Sequence, residues 1–196
     1  KIADTIKRLN YIPTASARRL RQGQSHVIGV LVGDIGNTFS TLLAKGIDDV
    51  LHPAGYDIVL MNTNNSTIIE KRALQRLYEL QADGIIVQPD AIHFEQFADC
   101  INREIPLVLV DREVMDQPVT VGRVTSANQD ACYRLGQVLH QKNYDHILTV
   151  SAHFAEASGQ IPRIAGLKAT AEDYGLSFHN IETRGRDYEW LKKELL

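Results

Sequence analysis

The chain has 196 residues, of which 44% are hydrophobic, so it can bury a sizeable core and need not be a single domain. No stretch approaches the ~20 consecutive apolar residues of a membrane span, and the first residues lack the apolar core of a signal peptide. We therefore expect a soluble, cytoplasmic protein with no membrane partner. The net charge of −3 is distributed unevenly along the chain.

The first 24 residues are basic, whereas the rest of the chain is acidic. Six cationic side chains stand against Asp4, a net charge of +5, and the total of −3 leaves −8 for residues 25–196. A basic segment of this kind indicates binding to a phosphate backbone, which attracts Lys and Arg by counterion release. From charge alone, a solvated basic linker is an equal alternative. The cations are Lys1, Lys7, Arg8, Arg18, Arg19 and Arg21.

Two short helices are predicted within this basic segment. Residues 1–10, KIADTIKRLN, carry three apolar residues at helical spacing, like the end of a helix whose packing partners lie outside the sequence. Pro13 can open a second helix over residues 15–20, with Gly23 as its stop. Because isolated helices below ~12 residues are marginal in water, we expect this second helix to order only against a partner.

A continuous apolar run, VIGVLV over residues 27–32, predicts a parallel strand that is buried on both faces. The loop GDIGN follows this strand, and a helical pattern begins directly after the loop. Ligands of open α/β sheets bind outside the carboxyl ends of the strands. We therefore expect ligand contacts from the loop and from the start of the helix, namely from Asp34, Asn37, Phe39 and Ser40.

Strand and helix patterns alternate regularly beyond this loop, which predicts an α/β fold with doubly wound, mostly parallel sheets. Gly55 supplies a stop between the first helix and the second strand. Further helices are expected to open near Pro162 and near Asp187. The predicted strands cover residues 27–32, 56–61, 84–87, 106–110, 119–124, 147–150 and 178–181, and the other predicted helices lie near residues 39–53, 66–81, 93–103 and 127–142.

No motif supports catalysis or a bound metal. The first strand is not followed by the Gly-x-Gly-x-x-Gly of dinucleotide-binding loops, and neither a Walker loop nor a Gly-x-Ser-x-Gly elbow occurs. Cys100 and Cys132 are isolated, which favours small buried thiols over a disulfide. We therefore predict neither an enzyme nor a cofactor or metal. The histidines, which lack metal-ligand spacing such as His-Glu-x-x-His, are at positions 26, 52, 93, 140, 146, 153 and 179.

Two long strings of the sequence carry a family resemblance. LNYIPTASARRLR is similar to the last helix of a DNA-binding headpiece running into a hinge helix, and IGVLVGDIGNTFSTLLAKGIDDVLHPAGYDIVLMNTN is similar to the first β-α-β unit of an effector-binding core. LQADGIIVQP, IPLVLVDR and RIAGL add shorter matches. Over essentially the whole chain, these strings resemble the lactose-repressor/galactose-repressor family of bacterial transcription regulators. The ASARRL and GVLVGDIGNTFS strings are most similar to members that control sugar-acid or ketogluconate-type pathways.

The resemblance implies a division into three parts. Residues 1–24 would be the end of the headpiece and the hinge helix, residues 25–143 the N-terminal effector-binding subdomain, and residues 144–196 an incomplete C-terminal subdomain. The two subdomains would form a periplasmic-binding-protein-like core with the effector between them. We expect the chain to be truncated at both ends, with a helix-turn-helix before residue 1 and the rest of the second subdomain after residue 196.

The resemblance also implies a DNA interface. The hinge helices of a homodimer would fold together in the minor groove of operator DNA, where Leu20 would insert between base pairs as an apolar wedge. The arginines beside it would contact phosphates or the groove. A tetramer is left open. The implied DNA-binding residues are Tyr11, Ala17, Arg18, Arg19, Leu20 and Arg21.

Four later residues are candidate effector contacts. Arg112 ends the fourth strand in an Asp-Arg pair, where a planar guanidinium suits a carboxylate or vicinal hydroxyls; neutralisation by Asp111 is the alternative. Arg163 matches the family's cleft arginine in Arg-x-x-Gly-Leu, and an arginine in the first turn of a helix opposes the helix dipole unless an anion is near. Asn128 corresponds to the second residue of the family's Asp-Asn pair. Ser158 lies in the loop before Arg163.

The function that the resemblance implies is a DNA-binding regulator, most simply a repressor, of a carbohydrate-catabolism operon, controlled by a sugar or sugar-acid effector. Two arginines in one cleft, together with Ala127 in place of the family's usual acid, favour a sugar acid. A sugar-binding transport protein is the main alternative, since it would share the two-lobed core. That alternative predicts an export signal and no basic hinge, and an enzyme ranks third because no catalytic constellation is evident.

Overall fold

The computed structural model describes residues 23–151, 159–183 and 188–195. The six predicted DNA-binding residues and Ser158 lie outside these described residues. The strands are β1 (Val27–Val32), β2 (Asp57–Asn62), β3 (Gly84–Val87), β4 (Leu107–Val110), β5 (Gly122–Val124), β6 (His146–Ser151) and β7 (Ser177–Glu182). The α-helices are α1 (Thr38–Leu51), α2 (Thr67–Glu79), α3 (Ala98–Asn102), α4 (Asn128–Gln141), α5 (Gln160–Tyr174) and α6 (Tyr188–Leu195), and a 3-10 helix covers Phe94–Phe97.

The chain packs as two compact units. The first contains the described residues up to Val87 together with Phe97–Leu107, and the second contains Gln88–Gln96 and the described residues from Val108 onward. The chain therefore passes between the units more than once. The predicted division at residues 24/25 and 143/144 came from the family resemblance rather than from packing, and it stays a prediction.

The first unit is built around strand β1. This strand pairs in parallel with β2 on one edge and with β3 on the other. The chain thus moves outward from β1 to β2 and then returns to the opposite side of β1, which is the reversal of a doubly wound sheet. Helix α2 packs closely on β1, because a Cβ atom added at Gly29 would lie 2.2 Å from Cδ1 of Leu77. Residues 29–32, which alternate between the two faces of β1, are all buried, which explains the continuous apolar run.

The second unit contains two parallel strand pairs, β4 with β5 and β6 with β7. Helices α4 and α5 pack against each other at glycines: a Cβ added at Gly166 would lie 2.2 Å from the Gln129 carbonyl oxygen, and one added at Gly136 would lie 2.6 Å from the Thr170 side chain. The Thr170 hydroxyl donates to the Tyr133 carbonyl over 2.9 Å. The backbones of α4 and α5 therefore approach each other more closely than larger side chains would allow.

Parallel pairing of apolar strands, alternating with helices, confirms the predicted α/β class. Two predicted boundaries were wrong. The strand expected over residues 119–124 begins only at Gly122, because the Val121 N–H donates to the Pro118 carbonyl in a turn. The helix expected over residues 93–103 is a 3-10 helix followed by the five-residue α3, since its start is held by a bridge between His93 and Met115.

Cys100 and Cys132 are free thiols, and Cys100 is fully buried. Its Sγ lies 3.1 Å from the Tyr78 hydroxyl oxygen. Burial is the main reason that the pKa of the Cys100 thiol and the pKa of Tyr78 are both raised. The folded protein therefore keeps both protons at pH values where the unfolded chain has begun to lose them.

This difference predicts a loss of stability at alkaline pH. An unfolded cysteine ionises near pH ~8.5 and an unfolded tyrosine near ~10, so between these values and the raised folded pKa values the folded state binds more protons. The free energy of unfolding should be unaffected below about pH 8 and should fall as the pH rises further. Urea denaturation at pH 7 to 10 measures this slope, which should be shallower in Cys100→Ala. An unchanged slope in that variant would contradict the assignment.

Candidate functional site

The loop after β1 carries the first group of predicted ligand contacts, all in the first unit. The Asp34 carboxylate accepts a hydrogen bond from the Gly36 N–H over 2.8 Å, and the Asn37 side-chain oxygen accepts one from the Phe39 N–H over 2.9 Å. Asn37 is the N-cap of α1. Ser40 is buried, whereas Phe39 is 43% exposed. Asp34 and Asn37 therefore shape the loop and begin the helix, and their contact with a ligand stays a prediction.

The end of β2 meets this loop through residues that the sequence did not single out. The Asn62 side-chain oxygen accepts from the Ile35 N–H over 3.2 Å, and its amide nitrogen donates to the Asn64 side chain over 2.7 Å. Parallel neighbouring strands end at the same edge of a sheet. The polar string Asn62-Thr63-Asn64-Asn65, directly after an apolar strand, was the signal that could have identified this neighbour.

The second unit contains a pocket of about 320 Å³ at the N-terminal ends of α4 and α5. Its walls combine polar and apolar surface in nearly equal parts, and three acidic residues are among those that line it. Of the predicted contacts in this unit, Asn128 is one of the lining residues. The lining consists of Asp111, Glu113, residues 125–130, Gly159 and Pro162.

Asn128 and Arg163 are joined beside this pocket. The Arg163 Nε donates to the Asn128 side-chain oxygen over 2.9 Å, although the two residues are 35 positions apart in the sequence. Asn128 is the first residue of α4, and Arg163 lies in the first turn of α5. The close packing of these helices thus brings two of the predicted effector contacts together. The hydrogen bond fixes the amide so that its nitrogen can donate to a ligand, while the exposed guanidinium retains its remaining donors.

Arg112 has a different partner from the one that the sequence suggested. Its Nη1 forms a 2.5 Å ion pair with the carboxylate of Asp90, whose side chain is only 2% exposed. Asp111 instead accepts a 2.8 Å hydrogen bond from the side-chain amide of Gln88. The alternative of neutralisation by Asp111 is therefore wrong, because the carboxylate that neutralises Arg112 belongs to Asp90. Its contact with a ligand stays a prediction.

Ala127 is the N-cap of α4 and provides no side-chain hydrogen bond to the helix. The acidic residue in the first turn of α4 is Asp130, which forms a 3.0 Å ion pair with Arg134. The family resemblance leads one to expect an acidic residue at position 127, but this position is alanine and supplies no carboxylate. Asp111 and Asp130 supply carboxylates to the same pocket.

The part of the chain that the structure describes contains no group of three His, Cys, Asp or Glu side chains arranged to hold a metal ion. Among the same residues, no helix combines the length and the apolar character needed to cross a membrane. The side chains around the pocket are hydrogen-bond donors and acceptors and no nucleophile-base pair is evident there, so the arrangement suits the binding of a polar small molecule.

Comparison with known proteins is consistent with that chemistry. The model of the family described as periplasmic binding proteins and sugar binding domain of LacI family matches residues 25–190. The HTH-type transcriptional regulator PtxS of Pseudomonas putida is 32% identical over 170 residues, which cover 87% of this chain and 49% of that protein. The HTH-type transcriptional regulator KdgR of Bacillus subtilis is 28% identical over 198 residues, covering 99% of this chain and 57% of that protein.

Among solved structures, a LacI transcriptional regulator from Lactobacillus brevis superposes with a TM-score of 0.77 at 25% identity. The match covers 86% of this chain and 63% of that one. The chain spans about half the length of these two curated relatives. The family match over residues 25–190 includes most of both compact units.

Proposed function

Because the chain belongs to the family of periplasmic binding proteins and LacI-type sugar-binding domains, we propose that it is the effector-binding part of a DNA-binding transcriptional regulator. We propose a repressor of carbohydrate-catabolism genes in the cytoplasm, where operator DNA lies. Its relatives with matches along most of this chain are named as HTH-type transcriptional regulators. The net charge of +5 on residues 1–24 supports contact with DNA.

The observation that carries the effector half of this proposal is the Asn128–Arg163 hydrogen bond beside a pocket lined by several hydrogen-bonding side chains. An amide and a guanidinium together can donate to several hydroxyl or carboxylate oxygens of a sugar. The ion pair with Asp90 neutralises Arg112, so only Arg163 supports the preference for a sugar acid. We therefore propose a sugar or sugar acid as the effector, with Arg163 deciding between the two.

Regulation follows from linkage. A ligand changes DNA affinity only by its differential affinity for the DNA-competent and DNA-incompetent states. Release of DNA by the effector is the direction that we propose, as expected for a repressor of catabolic genes. No cofactor is needed for this mechanism.

Binding to DNA is the decisive test, carried out on the protein expressed from its whole gene. DNA selected from a random-sequence library by that protein should lose affinity by about 10³-fold or more between 50 and 200 mM salt, as expected for several phosphate contacts. The control replaces Arg18, Arg19 and Arg21 by alanine, which should flatten the salt dependence. Absence of any DNA affinity at 50 mM salt would contradict the proposal and favour a sugar-binding transport protein.

We also propose that the regulator is a homodimer that pairs through α1. Leu42 and Val50 lie on one face of this helix and are 64% and 71% exposed, with Gly46 between them. A second copy would bury these apolar side chains and stabilise the pair. The sedimentation experiment described next also distinguishes a dimer from a tetramer.

Charged substitutions on α1 test the dimer. In sedimentation experiments, Leu42→Asp and Val50→Asp should each shift the protein towards monomer, because an unpaired carboxylate would be buried at the interface. Ile68→Asp on α2 is the control, since Ile68 is similarly exposed at 65% and lies outside the proposed face. Equal sedimentation of all three variants and of the unaltered protein would refute the α1 interface.

A further inference from the structure

Strand β4 ends in an unusual turn. Asp111 has a φ of +68°, which L residues other than glycine seldom adopt. The Arg112 N–H donates to the Val110 carbonyl over 2.7 Å, two residues back. A three-residue turn with positive φ at its centre is rare and strained. Such a conformation persists only where surrounding contacts over-determine it.

The contacts that determine this turn come mainly from one short segment. Gln88 donates its side-chain amide to Asp111 Oδ2 over 2.8 Å, and Asp90 forms the 2.5 Å ion pair with Arg112. Arg112 Nη1 also lies 3.3 Å from the Pro89 carbonyl oxygen. In addition, the Asp111 N–H donates to the Val124 carbonyl over 2.8 Å. All these residues belong to the second unit.

Both holding side chains are shielded from water. Gln88 is 4% exposed and the Asp90 side chain is 2% exposed. Hydrogen bonds and ion pairs at shielded sites restrict geometry more strongly than exposed ones, because breaking them leaves a buried polar group without compensation. Gln88 and Asp90 are therefore held firmly in place, and they bind two consecutive residues of the turn.

We propose that Gln88 and Asp90 are positioning residues, which hold the Asp111–Arg112 turn in the conformation that presents the Asp111 carboxylate to the pocket. Gln88 fixes the plane of that carboxylate through Oδ2, and Asp90 fixes the residue that follows it. The consequence for an effector rests on the proposed function, since Asp111 would then accept a hydrogen bond from a ligand hydroxyl. Neither holding residue contacts the ligand.

The chemistry of position 88 allows a specific test. The glutamine amide is a donor, whereas an ionised glutamate could only accept. In Gln88→Glu, two carboxyl groups would face each other, and close carboxyl pairs hold one shared proton. The turn should then be held at low pH and released once the shared proton is lost. A side chain that acted only by filling space would not produce this pH dependence.

The measurement is amide hydrogen exchange by NMR on the whole protein, expressed as the protection factor of the Arg112 N–H. In Gln88→Met this protection should fall at least 10-fold relative to the unaltered protein. In Gln88→Glu the Arg112 protection factor at pH 5 should be within about 3-fold of that of the unaltered protein. At pH 8 it should be at least 10-fold lower than that of the unaltered protein at the same pH. Gln137→Met is the matched control, because Gln137 donates to Tyr174 elsewhere in the same unit and should leave Arg112 protection unchanged.

A second arm links the turn to ligand binding. Thermal unfolding is followed with D-glucose, D-ribose, D-fructose, D-gluconate and 2-keto-D-gluconate as probes. Where a probe stabilises the unaltered protein, Gln88→Met should weaken its binding at least 10-fold, whereas Gln137→Met should not.

Arg112 protection that is unchanged in Gln88→Met, or a Gln88→Glu variant without pH dependence, would overturn the inference. If no probe binds but protection changes as expected, the proposed effectors fail and the positioning role stands. If Gln88→Met does not fold, the pH profile of Gln88→Glu decides.

Discussion

Replacing Gly166 by alanine should lower the free energy of unfolding by about 3 kcal/mol, the upper part of the usual range for overpacked sites. The added Cβ would lie 2.2 Å from the Gln129 carbonyl oxygen and 2.9 Å from the Tyr133 nitrogen. Both atoms are in the backbone of α4, so no side chain can rotate away. The helices would have to separate, which would also strain the hydrogen bond from Thr170 to Tyr133.

Urea denaturation of the unaltered protein and of Gly166→Ala measures this loss in the free energy of unfolding. Gly46→Ala is the matched control, because nothing in the chain lies within 4 Å of the Cβ position at this mid-helix glycine of α1. Both substitutions are compared in the Leu42→Asp background, so that the proposed α1 interface does not contribute. Alanine there should raise the free energy of unfolding by about 1 kcal/mol through helix propensity alone. The same substitution should thus have opposite signs at the two sites. A Gly166→Ala protein as stable as the unaltered one would show that α4 and α5 are not packed backbone to backbone.

Replacing Arg163 by alanine should remove the response to the effector and leave DNA binding intact. The side chain would take with it both its hydrogen bond to Asn128 and its charged donors to the ligand. Charged hydrogen bonds contribute about 1.5 to 3 kcal/mol each, which corresponds to about 10- to 100-fold in affinity. Because α5 would keep its core side chains, we expect the fold and the basic segment to be unaffected.

The effector that stabilises the unaltered protein in thermal unfolding is the ligand for this test. A ligand at 100 times its dissociation constant adds about 2.7 kcal/mol of stability, and a 10- to 100-fold loss of affinity should reduce that stabilisation to between about 1.4 and about 0.4 kcal/mol in the variant. Arg76→Ala is the control, since this exposed arginine on α2 pairs only weakly with Glu79 at the surface. An Arg163→Ala protein that is stabilised as much as the unaltered protein at the same ligand concentration would remove Arg163 from the effector site.

Much of the fold could be predicted because its signals are local. The run at residues 27–32 is apolar without a break because both faces of β1 are covered: residues 29–32 alternate between the two faces and all four are buried, which leaves no polar alternation. The family resemblance is likewise confirmed by the match over residues 25–190. The strand expected at residues 119–124 was too long because Pro118 and Val121 close a turn, which apolar composition alone does not reveal.

The site was harder to predict because sequence patterns do not identify partners. Asp34 and Asn37 follow a buried strand, as ligand-binding residues do, but each accepts a backbone N–H two residues further on. The same residue types serve as caps and as ligand contacts. A side chain that caps a loop and one that binds a ligand are therefore indistinguishable in the sequence.

The partner of Arg112 shows the same difficulty over a longer distance. Asp111 is its neighbour in sequence, whereas Asp90 is 22 positions away. The backbone conformation at Asp111, with φ of +68°, directs consecutive side chains to different partners. Only the paths of the chain after β3 and after β4 bring Asp90 and Gln88 to this turn, and those paths depend on tertiary packing.

The glycine contacts between α4 and α5 have a mechanical consequence. Where two helix backbones touch, they have no layer of side chains that can rearrange to absorb a displacement. Asn128 and Arg163 lie at the neighbouring N-terminal ends of these two helices. Their positions are therefore fixed by one rigid helix pair. We thus expect a ligand that displaces Arg163 to move α4 and α5 together along their full length.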